Sequence, residues 1–177
     1  MIKKRVSSRD KDYGKVLDLL QTEFPESEQM PIWLLRLLSL IKKIHFTAYY
    51  EGTEFIGLSF VSEGYRTAFV LYLAVSHEIQ SKGYGSKIIQ DIIASFPGKN
   101  VTLNIEPLDP DAPNYQQREK RLQFYQRNGF HDTGYTLEDN GDPYSVLTTG
   151  NEFSVDDYKN ALRVMSLGVL LPRIYKK

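Results

Sequence analysis

The sequence contains no cysteine, so disulfide bridges, zinc–thiolate sites and a cysteinyl acyl-enzyme are excluded together. It carries no net charge, because 22 Lys and Arg offset 22 Asp and Glu. No overall field draws in nucleic acid, and any basic site has to be local. A long apolar run is also missing. The richest stretch, PIWLLRLLSLI at 31–41, is about half of the ~20 residues a membrane-spanning helix needs, and Arg36 sits in its middle. It reads as a buried or cleft-lining helix. The opening MIKKRVSSRD is basic with no apolar segment behind it, so it does not read as a secretory signal. A cytoplasmic location without membrane contact is expected. His45, His77 and His131 lack metal-ligand spacing, so no metal is expected.

What is present is a globular composition, 41% hydrophobic and 25% charged over 177 residues. No repeat, low-complexity segment or linker interrupts it, so a single domain over 1–177 is expected, with a C-terminal helix and tail from about 151. IKKRVSS suits a first strand. Asp10 is placed to cap a helix with Val16, Leu17, Leu20 and Phe24 on one face, and Pro25 stops it. Pro31 opens the apolar second helix, expected to end near Lys42 and Lys43. Three β-rich runs between 45 and 75 read as an antiparallel meander. VTLNI is a fifth strand, the loop EPLDPDAPNY precedes a further helix closed by Gly129, and two strands flank EDNGD. Ser154 and Asp157 resemble a capping box for a last helix, and the tail beyond Ser166 is ambiguous. The fold class is α/β.

The segment LAVSHEIQSKGYGSKIIQDII (73–93) runs from a strand through two glycines into a helix pattern, with no acidic residue between Ile79 and Gln90. Such a turn leaves backbone N–H groups pointing where phosphate oxygens bind. Gly83 and Gly85 permit close approach and positive φ, Ser86 adds a hydroxyl, and Lys82 and Lys87 add positive charge. A tight strand-to-helix turn with no ligand accounts for the same glycines. The spacing excludes a nucleotide P-loop, and a third glycine at 88 is missing from the dinucleotide fingerprint.

Gln80, Gly83 and Gly85 match the Q/R-x-x-G-x-G/A signature that follows a strand in the GNAT superfamily of N-acetyltransferases, which this segment resembles. LQFYQRNGF at 122–130 is similar to that family's later F-Y-x-x-x-G-F helix, and it follows about forty residues downstream. The order of elements resembles the family over residues 1–150. At the position seven before Tyr125, where many relatives carry asparagine, stands Arg118, with Asn114 earlier. The resemblance implies a twisted, mostly antiparallel central sheet of six to seven strands flanked by helices. It also implies acetyl-CoA as co-substrate, held by Leu73, Ala74, Val75, Gln80, Ser81, Lys82, Gly83, Tyr84, Gly85 and Ser86.

By that resemblance Tyr125 protonates the departing thiolate, a phenol of ordinary pKa ~10 lying in the thiol range. Backbone amides at Leu73–Val75 would meet the oxyanion where a bulge or splay opens the sheet. Without cysteine, direct attack by the amine in a ternary complex is simpler than a covalent intermediate. Glu106 is the first candidate for the base, directly or through a water, and a merely solvated carboxylate is the alternative. Asp109 and Asp111 could attract a cationic acceptor, while Trp33, Leu34 and Leu37 could line an amine pocket or pack in the core. The expected partner is a small-molecule amine or peptide amine, not nucleic acid; exposed apolar parts are a candidate homodimer surface. Two rival readings remain open: an acyl-CoA sensor without turnover, and an interaction module using the second helix.

Overall fold

The computed structural model describes residues 1–79, 82–167 and 172–177, so Gln80 and Ser81 lie outside the described residues. In chain order the elements are β1 (Ile2–Arg5), α1 (Tyr13–Glu23), α2 (Ile32–Leu38), β2 (Ile44–Glu51), β3 (Glu54–Glu63), β4 (Thr67–Val75) and α3 (Tyr84–Ser95). β5 (Asn100–Ile105), α4 (Tyr115–Arg127), β6 (His131–Asp139), β7 (Asp142–Thr148), α5 (Val155–Met165) and β8 (Arg173–Lys176) complete them. A short 3-10 turn, Glu26–Glu28, joins α1 to α2.

The strands form one sheet in the order β1-β2-β3-β4-β5-β7-β6-β8. Every neighbouring pair is antiparallel except β4 with β5. A parallel pair needs a crossover, and α3 supplies it on one face of the sheet. There Ile88, Ile89 and Ile92 pack with Val70, Val101 and Leu103, and Leu122, Phe124 and Tyr125 of α4 join them. On the opposite face α1 and α2 bury Val16, Leu20, Leu35 and Leu38 against Phe46, Phe60 and Tyr72. α5 buries Tyr158, Ala161 and Leu162 against Phe69 and Val146. Its first turn is capped as the sequence suggests, Asp157 N–H donating to Ser154 Oγ at 3.2 Å.

Three details depart from the sequence reading. The sheet has eight strands rather than six or seven, because RIYK in the tail pairs with Tyr135–Glu138. α2 stops at Leu38 instead of near Lys42, since Leu40 and Ile41 bond back only three residues and Arg5 occupies the carbonyl oxygens of Ser39, Ile41 and Ile44. Asp10 does not cap α1; its carboxylate turns back to accept from Ser7 N–H at 2.7 Å. Among the described residues no helix is long and apolar enough to cross a membrane.

Candidate active site

A wedge opens in the sheet between β4 and β5. Their parallel pairing covers Thr67–Val70 with Asn100–Leu103 and goes no further, although both strands continue. On the other side of β4, Phe60 pairs with Tyr72 and Val61 with Val70, so Leu71 is an extra residue in a bulge. Such an insertion bends its strand and shifts the alternation of side chains. Leu71 and Tyr72 accordingly pack on the same face, while Leu73 and Val75 turn to the α3 side. Ser76 N–H donates to Ile56 O, and the alternation of an antiparallel ladder then directs the Leu73 backbone N–H and C=O away from β3 toward the wedge. Val70, Leu71 and Leu73 of β4 and Leu103, Asn104 and Ile105 of β5 line a cleft of about 510 Å³ there.

The N-terminus of α3 follows β4. Gly83 sits at φ 78°, a left-handed conformation, and the space where a Cβ would stand is open. An L-residue is disfavoured there by backbone sterics alone. Gly85 is confined for a different reason, since its Cβ would stand 3.3 Å from the Phe124 ring of α4, which would have to give way slightly. The first intrahelical bond runs from Lys87 N–H to Gly83 O, so the amides of Tyr84, Gly85 and Ser86 have no acceptor among the described residues. No side chain caps them and no acidic residue occupies the first turn. Lys82 and Lys87 are exposed beside it. The Ser86 hydroxyl accepts from Asn128 Nδ2 at 3.1 Å, fixing the start of α3 to the end of α4. These groups suit a phosphate-bearing ligand.

α4 forms another wall. Tyr125 lines the cleft, packed between Phe124 and Phe130. Burial pushes its phenol up to about 12, partly offset by the Arg121 guanidinium. The hydroxyl is therefore a weaker acid than an ordinary tyrosine and keeps its proton at neutral pH. Glu106 also reaches the cleft, but its Oε1 lies 3.0 Å from Arg118 Nη2 and accepts from Asn114 Nδ2 at 3.2 Å, while Oε2 is 3.1 Å from Arg121 Nη1. Arg118 further donates to Asn114 Oδ1 and to Pro107 O. It ties the loop after β5 to α4.

The opposite wall holds residues with no motif to mark them. Glu28 accepts from Tyr144 Oη of β7 at 3.0 Å. Asn104, at the wedge, accepts from the buried Tyr158 hydroxyl at 2.7 Å. Glu23 lines the cleft with His77 Nε2 2.6 Å away. The amide at one of the two polar positions of the alternating VTLNI is the one sequence signal that could have pointed to Asn104. Trp33 and Leu37 are exposed on a separate groove beside Arg5, outside this cleft, whereas Leu34 is half-buried. Asp109 and Asp111 are exposed, linked by an Asx turn.

Residues 42–132 match the family model of the acetyltransferase (GNAT) domain, just over half of the chain, and the chain belongs to that family. A protein from Bacteroides thetaiotaomicron described as a GNAT-family acetyltransferase superposes with a TM-score of 0.77 at 21% identity, covering 96% of this chain and 100% of its own. An aminoglycoside 6'-N-acetyltransferase complexed with coenzyme A gives 0.65 at 16% identity, covering 87% and 100%. A GNAT-family acetyltransferase from Elizabethkingia anophelis with acetyl-CoA bound gives 0.58 at 15% identity, covering 83% and 95%. No curated protein sequence matches the chain.

Proposed function

We propose that the protein transfers an acetyl group from acetyl-CoA to a primary amine, by direct attack in a ternary complex. The observation that carries this reading is the wedge itself. Its β4 edge presents the Leu73 backbone, and it lies between the opened N-terminus of α3 and the hydroxyl-bearing wall of α4. On this reading the amides of Tyr84, Gly85 and Ser86 hold the pyrophosphate, with Lys82 and Lys87 adding charge. The Leu73 to Val75 backbone holds the acyl-bearing arm and polarises the carbonyl.

Acetyl-CoA supplies the activated acyl group and a thiolate leaving group. Tyr125 keeps its proton until sulfur departs, then gives it up. An amine is favoured over an alcohol acceptor because Glu23 and Glu28 line the cleft with no lysine or arginine on them among the described residues, while Glu106 is paired by Arg118 and Arg121. A cation is drawn to such walls and an anion is repelled.

A panel of primary amines with acetyl-CoA, followed by release of free thiol, tests the reading. Initial-rate lines at varied acetyl-CoA and amine are expected to intersect. Parallel lines with an isolable acetyl-enzyme would contradict direct attack, and binding of acetyl-CoA without release of thiol for any amine would favour a sensor.

A further inference from the structure

An amine acceptor arrives at neutral pH as an ammonium ion, and on the amine-acetylation reading above a group in the cleft must take its proton before nitrogen can attack. Glu106 meets the cleft with both oxygens engaged by Arg118, Arg121 and Asn114. Glu28, across the cleft, is held differently. Its backbone is pinned to the sheet by Tyr72 of β4, whose hydroxyl donates to Glu28 O at 2.7 Å and accepts from Met30 N–H at 2.9 Å. Its Oε1 accepts from Tyr144 Oη at 3.0 Å, and among the described residues Oε2 has no partner.

Glu28 lines both the 510 Å³ cleft and an adjoining cavity of about 140 Å³. Among the described residues, Arg121 is the one basic side chain lining either, and it is spoken for by Glu106. The ionisable groups around Glu28 are Tyr72, Tyr144, Asp139 and Asp142 from the sheet and its turn, and Glu23 from the end of α1. Glu106, Arg121 and Tyr125 face it from across the cleft. An arriving ammonium therefore meets a pinned carboxylate with a free oxygen and no cation already on it.

We propose that Glu28 is the catalytic base, held in position by Tyr144. The ammonium donates to Oε2, and its proton passes to that oxygen and on to solvent. The freed nitrogen lone pair forms the C–N bond and the C–S bond breaks. Tyr125 gives its proton to sulfur and recovers one from nitrogen as the amide forms. One amide, one thiol and one released proton balance the step.

The test takes an amine that the wild-type protein acetylates, chosen from n-butylamine, 1,4-diaminobutane, spermidine, kanamycin and lysine. Rates are followed from about pH 6 to about pH 10. Glu28→Gln keeps a partner for Tyr144 and is expected to lower kcat about 10²-fold at neutral pH. Its KM for acetyl-CoA should stay within about twofold. Its rate should climb about tenfold per pH unit, because only amine already neutral in solution can react. Glu106→Gln should keep the wild-type pH dependence, without that climb. Tyr144→Phe removes the hydrogen bond that positions the carboxylate and should lower kcat about tenfold with the KM for acetyl-CoA unchanged, which keeps the assignment testable if Glu28→Gln does not fold.

A Glu28→Gln protein with near-wild-type rates and an unchanged profile would overturn the assignment. So would the tenfold-per-unit climb appearing in Glu106→Gln alone, or a wild-type kcat in Tyr144→Phe. Wild-type protein that releases no thiol with any of the amines would remove the amine reading and this assignment with it. Active wild type with a Glu28→Gln protein that matches it removes the assignment alone.

Discussion

A methyl group on Gly85 would stand 3.3 Å from the Phe124 ring, so the first turn of α3 rests directly on α4. The helix whose first-turn amides are proposed to hold the cofactor is therefore levelled by the helix that carries Tyr125. Gly85→Leu gains helix propensity of about 0.8 kcal/mol but overpacks the contact at about 1–3 kcal/mol. Lower stability and weaker acetyl-CoA binding are expected, with part of both recovered in Gly85→Leu combined with Phe124→Ala. Denaturant unfolding and calorimetry measure the two effects. Full additivity of the two substitutions would show that the helices do not communicate through this contact.

Gly83 tests charge apart from strain. Its φ of 78° disfavours any side chain, but asparagine and aspartate tolerate left-handed backbone best and have nearly the same shape. Gly83→Asn should bind acetyl-CoA only modestly less well. Gly83→Asp, with a negative charge beside the phosphates, should lose about tenfold or more, ~1.4 kcal/mol. Equal affinities in the two variants would place the phosphates elsewhere.

Much of this site is legible in the sequence because its two helical halves are local. GYG marks the αL residue and the close contact at the start of α3, and FYQRNGF marks the tyrosine and the αL glycine that ends α4, with Gly129 at φ 90°. The other wall is not legible. Glu28, Asn104 and Tyr144 are separated by dozens of residues and meet only because β7 inserts between β5 and β6. The bulge at Leu71 leaves no trace either, since TAFVLYLAV is apolar at almost every position and an extra residue does not break its pattern. β8 is too short for its alternation to stand out.

Arg118 braces the loop after β5 against α4. Its guanidinium joins Glu106, Asn114 and Pro107 O at once, and its side chain is only 18% exposed. Arg118→Ala should destabilise the protein by about 1–3 kcal/mol, with faster amide exchange concentrated in residues 106–114 rather than in α3. Uniform loss of protection across the sheet would show that the residue braces the whole fold instead.

The raised phenol of Tyr125 sets a pH expectation. Its native value of about 12 exceeds the ordinary ~10, so its protonated form favours the folded state. That contribution is complete below about pH 10 and lost as pH rises toward the native value. Single-turnover rates should consequently show no basic limb from this residue below about pH 10. A fall in rate beginning near pH 9 that vanishes in Tyr125→Phe would mean its pKa is not raised in the working complex.

The central claim is that the Tyr125 hydroxyl returns a proton to the departing thiolate, and Tyr125→Phe under single-turnover conditions tests it most directly. The substitution keeps the ring between Phe124 and Phe130 and removes only the proton. General-acid catalysis contributes about 10² to 10⁴-fold, so the single-turnover rate should fall on that scale while acetyl-CoA affinity changes far less. A single-turnover rate near that of the wild type would contradict the assignment.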